Sequence, residues 1–247
     1  MFEQEIKNYL NQHGFEIWNP EAVLFDMDGV LIDSMPNHAI AWQQSMHSFG
    51  LHMTEADAYA TEGARGVDTI RQMARAQWGR DITPEEAQKM YDEKTRLFHA
   101  MPTPRIMPGI LTLLSVVKAA SLTIGVVTGS GQRPLICRLT SDFGEFVTVD
   151  HIVTAYDVSK GKPHPEPYLQ GMRKCGATAQ HTIIIENAPL GVQSGHASEA
   201  FTIGVNTGPL PAGTLKLAGA DLELPDMETL AKHIHELMKR RELKSEN

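Results

Sequence analysis

The sequence predicts an α/β fold: a doubly wound parallel sheet with an inserted helical cap. Three observations predict it. Short apolar runs alternate with helix-length segments after residue 108. The first apolar run, 22–25, is cut off from the others by a stretch, 37–103, that has helical periodicity and little strand signal. Polar, chemistry-bearing residues follow the apolar runs, and open parallel sheets bind ligands at the carboxyl ends of their strands.

Residues 1–20 read as an amphipathic helical extension with Phe2, Ile6, Leu10 and Phe15 on its apolar side, broken at Asn19-Pro20. The run AVLF at 22–25 has no polar alternation, the mark of a strand covered on both faces. Within 37–103, helices are expected over 39–48, 67–78 and 84–99. Thr83-Pro84-Glu85-Glu86 opens the last of these with proline at the first position and acids in the first turn. Pro102 and Pro104 close the segment. After Pro108 come a helix over 109–120, a strand over 122–127, a helix over 133–143 and a strand over 151–154. A helix over 165–174, a strand over 182–185, a helix over 190–200 and a strand over 201–205 follow. A short helix over 214–218, a strand over 222–224 and a last helix over 227–240 complete the pattern, with a frayed charged tail RRELKSEN. Alternating strands and helices imply crossover connections and helices on both faces. The expected organisation is a Rossmann-like core over 1–36 and 104–247, with 37–103 as the cap.

Composition narrows the function. A chain of 247 residues holds one or two domains with a sizeable core. The net charge of −8 disfavours non-specific binding to nucleic acid or anionic membranes. The two cysteines, Cys137 and Cys175, form no metal-type pair and read as buried small hydrophobes. The N-terminus lacks the apolar core of a signal peptide, and no apolar run approaches the roughly 20 residues that span a bilayer. A cytoplasmic protein is the expectation, with a small-molecule partner and no obligate protein partner evident. Trp42, Trp78 and Phe98 read as core, and ten of the eleven histidines as surface or packing residues.

The strand ends carry the chemistry. Asp26-Met27-Asp28-Gly29 follows the first strand and Thr128-Gly129-Ser130-Gly131 the second. Lys162 lies in the loop after the third, and Glu186-Asn187 follows the fourth. Each piece alone also suits a turn, a flexible loop, a surface lysine or a helix cap. Four together, in order, describe phosphoryl transfer. A carboxylate attacks phosphorus, and oxygen ligands hold Mg²⁺ between two anions. Hydroxyl, amide and ammonium groups hold the transferring oxygens. A second carboxylate serves as acid and base.

FDMDGVLIDS, VVTGS, GKPHPEPY and IIIENAPLGV resemble the four ordered motifs of the haloacid dehalogenase (HAD) superfamily. The cap placement resembles the helical-cap subfamily that contains β-phosphoglucomutase. The resemblance implies Asp26 as nucleophile and Asp28 as general acid and base. It implies Thr128 and Lys162 on the phosphoryl group, with Gly129 and Ser130 beside them. It implies Mg²⁺ held by Asp26, the Asp28 carbonyl and Asn187, with Glu186 close by. Two features depart from β-phosphoglucomutase: Glu186-Asn187 in place of Glu-Asp, and the Thr128–Gly131 loop. With SMPNHAIAW, ATEGARG and YDEKTRLF, they resemble a HAD inorganic pyrophosphatase branch, which adds Glu62, His38 and Lys94 as cap residues near substrate or metal. Arg65, one position later than that branch's Glu-Gly-Arg context, is a further candidate for binding substrate.

The expected function is a Mg²⁺-dependent phosphohydrolase acting on pyrophosphate or a small phosphate ester. A phosphosugar mutase shares its first half-reaction and differs in the acceptor. A non-catalytic binding protein would lack Asp26 or Asp28. Glu62 is left with three readings: an acceptor for sugar hydroxyls, an outer ligand of Mg²⁺, or a solvated loop acid.

Overall fold

The computed structural model describes residues 2–131 and 133–242, without the side chains of 133–136. Six parallel strands form the main sheet: β2 (Ala22–Phe25), β3 (Thr123–Val127), β4 (Ile152–Val153), β5 (Thr182–Glu186), β6 (Phe201–Val205) and β7 (Leu222–Leu224). Their order across the sheet is β4-β3-β2-β5-β6-β7, so the chain starts in the middle and winds outward in both directions. That is the Rossmann order, with its reversal point at β2. Every residue of β2, β5 and β6 is buried, as the unbroken apolar runs require.

Helices α6 (Ile110–Ala119), α7 (Arg133–Phe143), α8 (Glu166–Cys175), α9 (Pro189–Ala197), α10 (Thr214–Leu217) and α11 (Met227–Leu237) accompany the sheet. Four more stand between β2 and β3: α2 (Met35–Ser48), α3 (Glu55–Ala60), α4 (Gly66–Trp78) and α5 (Pro84–His99). They enclose their own apolar cluster, built on Met46, Leu51, Ile70, Ala74 and Met90, apart from the cluster beneath the sheet. The α5 start is the expected one: Thr83 accepts from the Glu86 amide while Glu86 accepts from the Thr83 amide. Helix α3 was not expected. Its capping box pairs Thr54 with Asp57, a shorter acid than the usual Glu or Gln, and its six residues are too few to show a period.

The N-terminal helix is shorter than expected. α1 (Glu3–His13) stops at Gly14, which adopts the left-handed conformation that glycine tolerates (φ 70°). The chain then forms β1 (Ile17–Trp18), paired antiparallel with β8 (Arg241–Glu242). The last helix accordingly ends at Leu237 and not at residue 240. Two-residue strands carry no readable period, and here tertiary contact decides: the Trp18 indole donates to the Leu237 carbonyl at 2.6 Å. Residues 243–247 of the expected frayed tail lie outside the described residues. Cys137 is exposed, not buried, because it points outward from α7, and Cys175 is partly buried. Among the described residues, no helix is long and apolar enough to cross a membrane.

Candidate active site

The sheet's switch point gathers the strand-end residues. Asp26 prolongs β2, its amide donating to the Ile185 carbonyl at 3.0 Å. The chain then turns sharply at Gly29 (φ 83°). A side chain there would be strained by φ and would also overlap the Asn187 amide, so glycine is required on both counts. On the β3 side, the Thr128 amide extends the sheet to the Val153 carbonyl at 2.9 Å, and its hydroxyl accepts the Ser130 amide at 3.0 Å.

Lys162 is the hub. Its ammonium donates to Asp26 Oδ1 at 2.5 Å, Glu186 Oε1 at 2.6 Å and the Val127 carbonyl at 3.2 Å. Glu186 is saturated. Its Oε1 also accepts the Tyr168 hydroxyl at 2.7 Å, and its Oε2 takes the Asn187 and Ala188 amides at 3.0 and 3.2 Å. Four donors fill the four acceptor positions of a carboxylate. Glu186 therefore acts here as an anchor for Lys162 and for the turn that presents Asn187. Tyr168 was not singled out in the sequence, although it ends the GKPHPEPY motif. Neither was Ser34, whose hydroxyl donates to Asp28 Oδ1 at 2.6 Å.

The helical segment supplies a second chain of polar groups. Lys94, 3% exposed, donates to His38 Nδ1 at 2.6 Å, and His38 Nε2 lies 3.2 Å from Asp28 Oδ1. An ammonium has only protons to offer, so Nδ1 is the acceptor and Nε2 carries the hydrogen donated to Asp28. The Lys94 ammonium also lies 5.1–5.7 Å above the Trp42, Tyr91 and Phe98 rings, and His38 stacks on Phe98. Trp42 thus serves both the helical core and the cavity wall. Glu62 is buried, and both its oxygens accept from Asn187 Nδ2 at 3.0–3.1 Å.

Asp26, Asp28, His38, Glu62, Lys94, Gly129 and Ser130 line one cavity of about 70 Å³, walled by Met35, Trp42 and Tyr91. Arg65 does not line this cavity but a smaller gap with Thr128, Gly129, Gly161 and Lys162. Its side chain is 42% exposed, and its guanidinium donates to the Ser159 carbonyl at 3.2 Å.

Burial dominates the electrostatics. It pushes the Asp26 carboxyl up to about 7, aided by Glu186 and Asp28 and opposed by Lys162. Burial alone would lower Lys162, but Asp26 and Glu186 outweigh it and hold the ammonium above its usual range. Burial and the nearby Asp26 charge raise Glu62 well above the ordinary carboxylate range. Asp28 differs: against burial, His38, Ser34 and Lys94 hold it low. Lys94 is pushed down to about 8 by burial, and His38 is lowered by burial and by Lys94.

These groups bring a buried carboxylate beside an ammonium, a hydroxyl with loop amides, and a second carboxylate in contact with an imidazole. Such a set can attack, hold and protonate a phosphoryl group, and with the Rossmann-order sheet it defines a phosphoryl-transfer enzyme. The chain belongs to the haloacid dehalogenase-like hydrolase family, whose model matches residues 23–205. It is 33% identical over 214 residues to hexitol phosphatase A of Escherichia coli, covering 85% of this chain and 93% of that one. It is 26% identical to the β-phosphoglucomutase of Bacillus subtilis over 212 residues, 82% of this chain and 88% of the relative. Among solved structures, a Bacteroides vulgatus protein described as a candidate β-phosphoglucomutase superposes with a TM-score of 0.92. It shares 45% identity, with 96% of each chain covered.

Proposed function

We propose that this protein is a Mg²⁺-dependent phosphohydrolase that works through an aspartyl-phosphate at Asp26, and that its preferred substrate is inorganic pyrophosphate. One observation carries the substrate reading: the cavity that Asp26 lines also holds a buried cation, Lys94. A buried ammonium facing the cavity seeks an anion, which a leaving phosphate supplies.

In this reading Asp26 attacks phosphorus, and the bond to the bridging oxygen breaks. Thr128, Gly129, Ser130 and Lys162 hold the transferring oxygens. An arriving phosphate raises the proton affinity of Asp28, which gives a proton to the leaving oxygen and later takes one from the water that attacks phosphorus and breaks its bond to Asp26. His38 keeps Asp28 oriented, and Lys94 receives the leaving phosphate.

The residues present fit a magnesium ion. Asn187 Oδ1 is buried without a hydrogen-bond partner, an oxygen donor at the sheet's switch point. Four buried or nearly buried carboxylates (Asp26, Asp28, Glu62, Glu186) face two ammonium groups, Lys162 and Lys94, an imbalance that a divalent cation offsets. Asp26, the Asp28 carbonyl and Asn187 would hold the ion, which would neutralise phosphate charge and draw substrate and carboxylate together. Glu62 adds acidity to the same region. Glu186, saturated by four donors, supports the ligands and does not join them. The composition supports a cytoplasmic setting.

The names of the relatives favour a second reading, a phosphatase or mutase acting on a sugar phosphate, in which Glu62 accepts sugar hydroxyls. Phosphate release from pyrophosphate and from hexitol and hexose phosphates, with glucose-phosphate isomerisation measured alongside, separates the two. Pyrophosphate should have the highest kcat/KM, lost on chelation and restored by Mg²⁺. A higher value for any sugar phosphate would replace this reading with the second.

A further inference from the structure

The geometry points to Arg65 as a latch that holds the helical cap shut on the core, with the Ser159 carbonyl as its catch. This inference holds for any phosphorylated substrate and does not rest on the pyrophosphate reading. Arg65 opens α4 in the cap, and Ser159 lies 94 residues later, in the core loop that carries Lys162. The hydrogen bond between them crosses the cleft, so it exists only while the two parts are closed.

The surfaces beneath the latch are shaped for that contact. A side chain at Gly161 would come within 2.9 Å of Arg65 Cγ, so the arginine stem lies flat on a glycine. A side chain at Gly129 would come within 2.8 Å of the Gly63 carbonyl. The cap loop 63–65 therefore rests on two bare stretches of core backbone. The gap left between Arg65, Gly129, Gly161 and Lys162 is about 10 Å³, at most one water.

The catch is itself fixed. Glu166, in the first turn of α8, accepts the Ser159 amide at 2.7 Å, the Ser159 hydroxyl at 2.9 Å and the Lys160 amide at 3.1 Å. An anchored carbonyl receiving a guanidinium across a moving boundary favours the closed state by roughly the worth of one hydrogen bond, about a fivefold shift in the opening equilibrium. Arg65 is thus a positioning residue, acting on the chemistry through cap closure.

Deuterium uptake of the free protein, followed in segments 61–66 and 128–131, reads cap opening without any substrate. Arg65→Ala should speed uptake in both segments about fivefold. KM on whichever phosphate ester the wild type turns over fastest should move by less than that factor, because the free and the substrate-bound closed forms share the latch, and kcat should stay within about twofold. Glu166→Ala should produce the same change with Arg65 intact, and the double variant should add nothing to Arg65→Ala. A direct substrate contact would instead leave uptake in the free protein unchanged, leave Glu166→Ala silent, or lower kcat in Arg65→Ala at unchanged uptake. Any of these results overturns the latch.

Discussion

The two walls of the cavity are built on different principles. The core wall is a closed network: Lys162 makes three hydrogen bonds and Glu186 accepts four, tying the loop after β4 and helix α8 to the ends of β2, β3 and β5. The cap wall is a file, Lys94 to His38 to Asp28, beside Glu62, which accepts from Asn187 of the core. A saturated network holds one geometry and suits a reaction centre common to many substrates. A file of single contacts on the inserted helices suits a reader of the leaving group.

That contrast orders the expected losses. Asp26→Asn keeps shape and removes the attacking charge. Turnover should fall by more than about 10³-fold on every substrate while the thermal transition stays cooperative, as followed by phosphate release and circular dichroism. Glu62→Ala should fall by on the order of 10²-fold on pyrophosphate, the scale of one preorganised charge contact, and by much less on a nitrophenyl phosphate. Equal small losses on both would make Glu62 a spectator and erase the division between the walls.

A subtler consequence concerns stability and pH. Lys94 is pushed down to about 8 in the folded protein from an unfolded value of 10.5. Between these values the unfolded chain binds more protons, so this residue's contribution to stability improves as pH rises. Lys94→Met should therefore be most stabilising relative to wild type below pH 8, with the gap closing toward pH 10.5. Denaturant melts at pH 7 and 10 measure it. A gap that widens with pH would show that Lys94 is stabilised, not strained, by its burial.

The same contrast governs what the sequence discloses. The core site was readable because parallel strands place their following residues at one edge. That Asp26, Thr128, the Lys162 loop and Asn187 meet there follows from the strand pattern and the topology, whereas their roles come from the family resemblance. The cap was harder. Helical periodicity marks Trp42 as core, and nothing in the period shows that its ring also walls the cavity beneath Lys94. Tyr168 lies in a quoted motif, yet its bond to Glu186 depends on how α8 packs on the sheet. Arg65 reads as a substrate contact by resemblance, and its hydrogen bond to the Ser159 carbonyl is one that no sequence pattern marks. The β1–β8 pair depends wholly on contacts between the two ends of the chain.

The division of labour between the walls is tested most directly by steady-state kinetics of Lys94→Met on pyrophosphate and on a nitrophenyl phosphate. The account predicts a loss of kcat/KM of about 10²-fold or more on pyrophosphate, whose leaving group is an anion, and of less than about fivefold on the nitrophenyl ester. The same loss on both substrates would mean that Lys94 serves the reaction centre through His38 and Asp28, and that the cap does not read the charge of the leaving group.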